Sequence, residues 1–456
     1  MINKGKTFVL QAPRGMHDIL PADQKHWERI RRAVREVAAF YSFERIDTPI
    51  VEATELFVRS VGADTDIVSK EMYSFKTKGG DDLTLRPEGT AGVVRAYLER
   101  GMVSWPQPVK LYYLGPMFRH ENPQRGRYRQ LWQFGFEVIG EADPVIDAQI
   151  MQLITVVAAE VGLKNLMLKI NSIGCPECRA AYRKALVQHY RPKVVKLCKD
   201  CRSRIKTSVL RLLDCKEETC TELRQTAPHG VDHLCSGCHG HFKAVLEFLD
   251  ELNVSYYLDP FLVRGLDYYT RTVFEIFPEE SGVTPGDATG SAALALGGGG
   301  RYDGLVELLG GKPTPAVGAA CGMERWVELM QVREVRIPER NRPRVFLAQL
   351  GELAKKKSLK LLEDFRKAGV AVAESLGRES IKSQFRSAAR LGVEFTLIMG
   401  QKETLDGTVI IREMNSGMQE LVALEKVVAE TKRRLAASRP AGMVRPPLAT
   451  TDHDET

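Results

Sequence analysis

Gln130-Leu131-Trp132-Gln133-Phe134-Gly135-Phe136-Glu137-Val138-Ile139 alternates in character along its whole length. Trp132, Phe134, Phe136 and Val138 fall on one side of an extended chain, and Gln133, Gly135 and Glu137 on the other, because strand side chains repeat every two residues. Neither Gln133 nor Glu137 belongs in a dry core without a partner, so the second face is expected to border a polar cavity. A half-buried sheet with a wet outer face fits the alternation equally well. A second strand is expected from about Val109 to Arg119. The loop between them, Glu121 to Arg129, carries Arg125, Arg127 and Arg129.

Outward from this pair the patterns change. Trp27, Ile30, Val34, Val37, Ala38 and Tyr41 recur at helical spacing after Pro21, which suits a helix start. Arg45 to Ile50 reads as a strand passing through Pro49. A polar loop, Arg86 to Thr90, leads into a helix from about Gly92. Helical patterning returns near Cys178–Val195 and Phe242–Leu252, and strands are expected at Thr272–Phe277 and near Ala292–Leu296. The run Gly297 to Gly300 permits close backbone approach and steep turns but lacks Walker A spacing. Gly318 to Arg325 enters a helix that ends before Pro338. Residues 331–343 are charged and contain two prolines, as an interdomain linker does. Beyond it, strands at Val345–Leu347, Ala371–Ala373, Phe395–Met399 and Val409–Ile411 alternate with helices at Ala354–Ala368, Ser380–Leu391 and Gln419–Leu435, the pattern of a compact α/β domain. Lys355-Lys356-Lys357 fits a solvent-facing helix. The tail from about Ser438, with its prolines and Asp452-His453-Asp454-Glu455, is expected to be disordered.

Bulk properties constrain less. The chain has 456 residues, too long for one ordinary domain, with 44% hydrophobic and 27% charged residues and a formal charge of +7. That charge permits a polyanionic partner without requiring one. The N-terminus has no apolar signal core and no stretch approaches a membrane span, so the expectation is a soluble, cytoplasmic protein. Eight of the nine cysteines lie between Cys175 and Cys238. Without an export signal, such clustering points to metal ligation or buried thiols more than disulfides. Paired CxxC elements hold tetrahedral zinc, and Cys198, Cys201, Cys235 and Cys238 form the preferred structural set. Cys215 and Cys220 are alternatives to one pair, His239 or His241 could join, and a metal-free reduced cluster is the other reading.

Several segments resemble histidyl-tRNA synthetase of the class II group, in the right order, over roughly residues 8–435. Pro49 with the helix and strand before it is similar to the first class motif, which in the family forms part of a dimer interface. Phe118-Arg119-His120-Glu121, the arginine-bearing loop and the strand through Gln133 resemble the second, and Gly318 to Arg325 the third. Leu262-Val263-Arg264-Gly265-Leu266-Asp267-Tyr268-Tyr269, continuing to Glu275, and Gly299 to Leu305 resemble the two histidine-specific motifs. The resemblance implies an α+β fold: a class II antiparallel-sheet catalytic core (residues 1–170 and 257–330), interrupted by a helical cysteine-rich insertion (171–256). A linker (331–343), an α/β anticodon-binding domain (344–435) and the tail (436–456) complete it.

It also implies a chemistry: ATP with Mg²⁺ activates histidine as an adenylate, and the acyl group passes to the 3′ end of tRNA(His). Nucleophile and electrophile are both anionic in the first step, so positive charge and placement matter most, and the arginine fork suits phosphate and carboxylate. By resemblance Arg119 contacts the α-phosphate, Arg325 the γ-phosphate side, and Arg264 the histidine carboxylate and α-phosphate. Glu121 and Arg127, with His120 and Arg125, extend the ATP and acceptor-end surface. Glu88, Thr90 and Gln133 take the ammonium group, Glu137 and Tyr269 the imidazole, and Tyr268 packs nearby. Arg202, Arg204, Lys206 and Arg211 make the insertion basic, and in the family it can clasp the tRNA acceptor arm. The rivals are a noncatalytic regulatory paralogue that binds an ATP-dependent phosphoribosyltransferase, and a tRNA-binding or nutrient-sensing module on the same fold. Arg264, Glu137, Arg325 and the C-terminal domain disfavour them. Met16, where threonine is common, and the glycine- and alanine-rich Ser281 to Ala293 depart from the family pattern.

Overall fold

The computed structural model describes residues 10–279, 294–337, 342–377 and 380–438. The chain divides into two compact units, one ending at Ile337 and the other starting at Pro338. The strands of the first unit are β1 (Glu44–Arg45), β2 (Val51–Ala53), β3 (Tyr73–Lys76), β4 (Asp82–Leu85), β5 (Val109–Phe118), β6 (Gln130–Ile139), β7 (Leu166–Ser172), β8 (Tyr256–Leu258), β9 (Thr270–Pro278), β10 (Gly297–Arg301) and β11 (Ala316–Gly322). Its helices are α1 (Gln24–Phe40), α2 (Thr54–Val61), α3 (Thr90–Glu99), α4 (Val145–Val161), α5 (Pro176–Tyr190), α6 (Lys199–Thr207), α7 (Glu218–Arg224), α8 (Ser236–Glu251), α9 (Leu305–Leu308) and α10 (Met323–Val332).

Eight strands form one sheet in the order β1-β5-β6-β11-β10-β9-β7-β8, antiparallel except at its two edges. β6 sits between β5 and β11, with Gln133 opposite Gly115 and Gly322 and Glu137 opposite Leu111 and Gly318. Phe134, Phe136 and Val138 pack with Trp27, Ile30 and Val34 of α1, Ile150 and Ile154 of α4, and Trp326 and Met330 of α10. Removing either phenylalanine side chain from so tight a core costs ~3–5 kcal/mol. The alternation of β6 thus anchors one face and leaves Gln133 and Glu137 on the other. The helices α5 to α8 leave the sheet after β7 and return at β8, its parallel neighbour. α8 enters the main core through Phe242, Val245 and Leu249, whereas Tyr182, Leu186, Tyr190, Cys201 and Cys220 build a smaller core of their own.

The expected strand from Arg45 to Ile50 is corrected: only Arg45 lies in a strand, since β1 stops there and β2 begins at Val51. The glycine run is itself the strand β10, in the middle of the sheet. The expected strand near Ala292 falls partly, and the segment Ser281 to Ala293 wholly, outside the described residues, as do 338–341 of the expected linker and the tail beyond Ser438.

The second unit contains β12 (Val345–Gln349), β13 (Val372–Glu374), β14 (Phe395–Met399), β15 (Thr408–Glu413) and β16 (Gln419–Ala423), with helices α11 (Glu352–Lys367), α12 (Ile381–Leu391), α13 (Gln401–Asp406) and α14 (Val427–Ala437). Its sheet runs β13-β12-β14-β15-β16, parallel on one side and antiparallel on the other. The helix expected over Gln419–Leu435 is corrected in its first third: Gln419–Ala423 pairs with β15, and the helix starts at Val427. Backbone pairing to an edge decides this segment, where the apolar spacing suited either state. Among the described residues no helix is long and apolar enough to cross a membrane.

Candidate active site

The polar face of β6 opens into a cleft of about 220 Å³ in the first unit. Ten of the eleven residues expected for the site line it: Glu88, Thr90, Arg119, Glu121, Arg127, Gln133, Arg264, Tyr268, Tyr269 and Arg325. The eleventh, Glu137, is fully buried behind the lining. Its oxygens accept from the hydroxyls of Thr90 (2.7 Å) and Tyr302 (2.5 Å). Gly318 on the facing strand makes room for it, since a Cβ there would stand 1.7 Å from Glu137 Oε2. Burial pushes the Glu137 carboxyl up to about 8, against the two hydroxyl donors that favour its charge.

One end of the cleft concentrates cations. Arg119 donates to Pro87 O (2.8 Å) and lies 3.9 Å from Glu121, which also faces Arg127 at 3.7 Å. Arg325 donates to Gly126 O (2.8 Å) and Ala295 O (2.5 Å). Burial, then the charge of Arg127, pushes the Arg325 guanidinium below its ordinary value. Among the described residues Glu121 is the one carboxylate at ion-pair distance from these three guanidinium groups, so their donors remain available to an anion.

Arg264 approaches from the loop before β9 and pairs with Glu275 of that strand. Burial opposes its charge, but Glu275 and then Tyr269 overcome that and raise it. Gly298 of β10 lets the guanidinium in: a Cβ there would meet Arg264 Nη1 at 2.8 Å and Phe274 O at 2.5 Å. Among the described residues, Arg264 Nε and Gln133 Oε1 are buried without a hydrogen-bond partner, a donor and an acceptor left open beside the same cavity. Glu88 accepts the N–H groups of Thr90 (2.7 Å) and Ala91 (2.8 Å) at the start of α3, and burial raises its carboxyl above the ordinary value.

The sequence reading assigned no role to Glu275, Tyr302 or Glu324, although each lies in a stretch it singled out. Glu275 orients Arg264, Tyr302 holds Glu137, and Glu324 accepts the Trp132 N–H at 2.8 Å on the cleft wall. A carboxylate set among apolar neighbours, Val273-Phe274-Glu275-Ile276, is the available signal for Glu275. His120 does not line the cleft; its ring meets Tyr73. Arg125 is exposed and pairs with Glu328.

The preferred cysteine set is corrected. Cys198 and Cys201 group with Cys215 and Cys220, while Cys235 and Cys238 group with Cys175 and Cys178. The chain path brings the first CxxC to the last one, so the two pairs joined in the expectation belong to different clusters. His239 is exposed and His241 bonds to Asp147 and Arg271, so neither joins. Of the basic residues in the insertion, Arg204 and Arg211 bind Asp66 at 3.0 and 2.6 Å. They therefore fasten the insertion to the catalytic unit.

The histidyl-tRNA synthetase family model matches residues 15–326, and an anticodon-binding-domain model matches 344–434. The chain belongs to the histidyl-tRNA synthetase family. A histidine–tRNA ligase of Dehalococcoides mccartyi strain 195 is 46% identical over 427 residues, 94% of this chain and all of that protein. One of Desulforudis audaxviator is 48% identical over 93% of this chain and 99% of its own. The solved structure of apo S. aureus histidyl-tRNA synthetase aligns with a TM-score of 0.77 at 37% identity, covering 93% of this chain and all of that one. A Bacillus halodurans structure titled as an ATP phosphoribosyltransferase regulatory subunit/histidyl-tRNA synthetase aligns at 0.60 and 21% identity, over 86% of this chain and 98% of that one. At that distance it shows the fold alone.

Proposed function

We propose that this member of the family is an ATP-dependent histidine–tRNA ligase. It activates histidine as histidyl-adenylate and transfers it to the 3′ end of tRNA(His). The observation that carries this reading is the gathering of an arginine cluster, a glutamate-held arginine and an acidic, amide-bearing pocket in one cleft.

In adenylation a histidine carboxylate oxygen bonds to the α-phosphorus while the α–β anhydride bond breaks and pyrophosphate leaves. Arg264 holds the carboxylate and α-phosphate, which bring two anions together against their repulsion. Arg119 binds the α-phosphate, and Arg325 and Arg127 the outer phosphates, with Glu121 keeping the guanidinium groups in place. Magnesium fits as the companion of the triphosphate: it needs few protein oxygens when phosphates supply the rest, and Glu121, Glu275 and Glu324 line the cleft. Gln133 Oε1 and Glu88 accept from the ammonium group, with Thr90 beside them.

The ring lies toward Tyr269 and Tyr268, and Glu137 is its acceptor. With its carboxyl pushed up to about 8, Glu137 is neutral at pH 7, and beyond the two hydroxyl donors it keeps one O–H donor and acceptor capacity for the ring nitrogens. An apolar amino acid would leave these buried groups unpaired. In transfer, the ribose hydroxyl oxygen bonds to the acyl carbon, AMP departs, and the proton passes to the phosphate oxygen.

The second unit, with its anticodon-binding match, takes the far end of the tRNA. A homodimer is supported by exposed Val51 and Phe75 on the sheet β2-β4-β3, beside the first class motif. The cytoplasm is its compartment. The structural zinc expected for the insertion stays outside the chemistry, because among the described residues no cysteine lines the cleft. The test is histidine-dependent ATP–pyrophosphate exchange followed by charging of purified tRNA; a well-folded protein inactive in both overturns the proposal.

A further inference from the structure

The insertion holds two tight clusters of sulfur. Cys175, Cys178, Cys235 and Cys238 form one, Cys198, Cys201, Cys215 and Cys220 the other, and within each all four Sγ atoms lie within 4.8 Å of one another. A tetrahedral ion with metal–sulfur bonds of ~2.3 Å sets its ligands on the order of 3.8 Å apart. The Sγ atoms of Cys198 and Cys215 are 3.8 Å apart, and those of Cys175 and Cys178 are 3.5 Å apart.

The backbone supports the same reading. Cys175, Cys198 and Cys235 are the residues on which α5, α6 and α8 begin. The N–H of Cys235 points at Cys178 Sγ (3.0 Å) and that of Cys238 at Cys235 Sγ (3.5 Å). In the other cluster the N–H of Cys198 points at Cys220 Sγ (3.3 Å) and that of Cys201 at Cys198 Sγ (3.4 Å). Amide donors and helix N-termini both favour the thiolate, which is the form that binds metal. Five of the eight thiols are buried, and four protein ligands close the coordination shell, as in structural rather than catalytic sites.

We propose that the insertion binds two zinc ions, one in each cysteine quartet. Soft thiolates in a tetrahedral cage suit that ion. The first ion ties the helix that leaves the sheet to the helix that returns, and closes the long loop between Cys178 and Cys235. The second stiffens the insertion where Cys198 and Cys215 line a cleft of about 1020 Å³ shared with Glu275 and Arg325. A zinc with four thiolates carries a net double negative charge, and the Arg224 guanidinium on the same cleft offsets part of it.

The experiment is elemental analysis of the full chain purified without chelators, with a mercurial titration of thiols read against metal release. Two zinc ions per chain, released in two steps as eight thiols react, are expected, and cobalt exchanged into both sites should show tetrahedral thiolate bands. Cys220→Ser and Cys238→Ser should each keep one ion. No metal, a single ion in the native chain, or iron with visible absorption overturns the proposal. If the variants do not fold, the native titration still decides.

Discussion

Glu137 is held near 8 by burial, although Thr90 and Tyr302 both donate to it. The unfolded chain releases that proton near its ordinary 4.5, so between the two values the folded state holds the extra proton. Stability from the neutral carboxyl is complete below 4.5 and is lost as pH rises through 8. Glu137→Gln removes this dependence. Its thermal stability relative to the parent should therefore increase from pH 5 to pH 8.5, by at most ~3–5 kcal/mol. A constant difference across that range, measured by calorimetry, would mean that Glu137 is already charged in the folded protein. Glu88 and Glu324 are raised for the same reason, Glu324 to about 7, so the variant's own pH slope should be smaller than the parent's but not zero. At Arg264 the expectation is kinetic. Arg264→Ala should lower ATP–pyrophosphate exchange on the order of 10²–10³-fold, as loss of a preorganised charge does, with the fold intact by circular dichroism. Near-normal exchange would take Arg264 out of the adenylation step.

The strand β10 shows why part of the site was legible in the sequence and part was not. Alternation over Gln130–Ile139 marked both the strand and its polar face, because a period of two survives in any sheet. Four glycines carry no period, so a central strand looked like a turn until its neighbours β9 and β11 supplied the hydrogen bonds. Gln419–Ala423 was misread for a similar reason, since pairing with β15 lies outside the local pattern. Ten of the eleven expected residues line one cleft, but the partners that orient them did not follow from spacing. Glu275 and Tyr302 act across strands, and the cysteine quartets depend on how the insertion folds back. Gly298 tests the strand itself. Gly298→Ala would set a Cβ 2.8 Å from Arg264 Nη1 and 2.5 Å from a backbone oxygen. Exchange should drop at least tenfold while histidine still binds, as isothermal calorimetry can measure; an unchanged rate would show that Arg264 tolerates displacement.

At the scale of the molecule, activation and tRNA reading fall to different parts of the chain. Every residue assigned to adenylation lies before Ile337, in a unit with hydrophobic clusters of its own. The second unit, residues 338–456, has a separate core built on Val345, Leu347, Phe365, Leu397 and Ile411. A chain ending at Ile337 should therefore fold and keep ATP–pyrophosphate exchange within about twofold, because no group in the cleft is removed. Charging should suffer far more. Each specific base contact is worth ~1–3 kcal/mol, so losing the anticodon-binding unit should reduce kcat/KM for tRNA by at least about tenfold. The residual charging should also lose part of its salt dependence, since fewer phosphates are neutralised. The two assays on one truncated protein separate the outcomes: loss of both means that the catalytic unit needs the second unit to be active, and retention of both means that recognition of the tRNA is complete within residues 1–337.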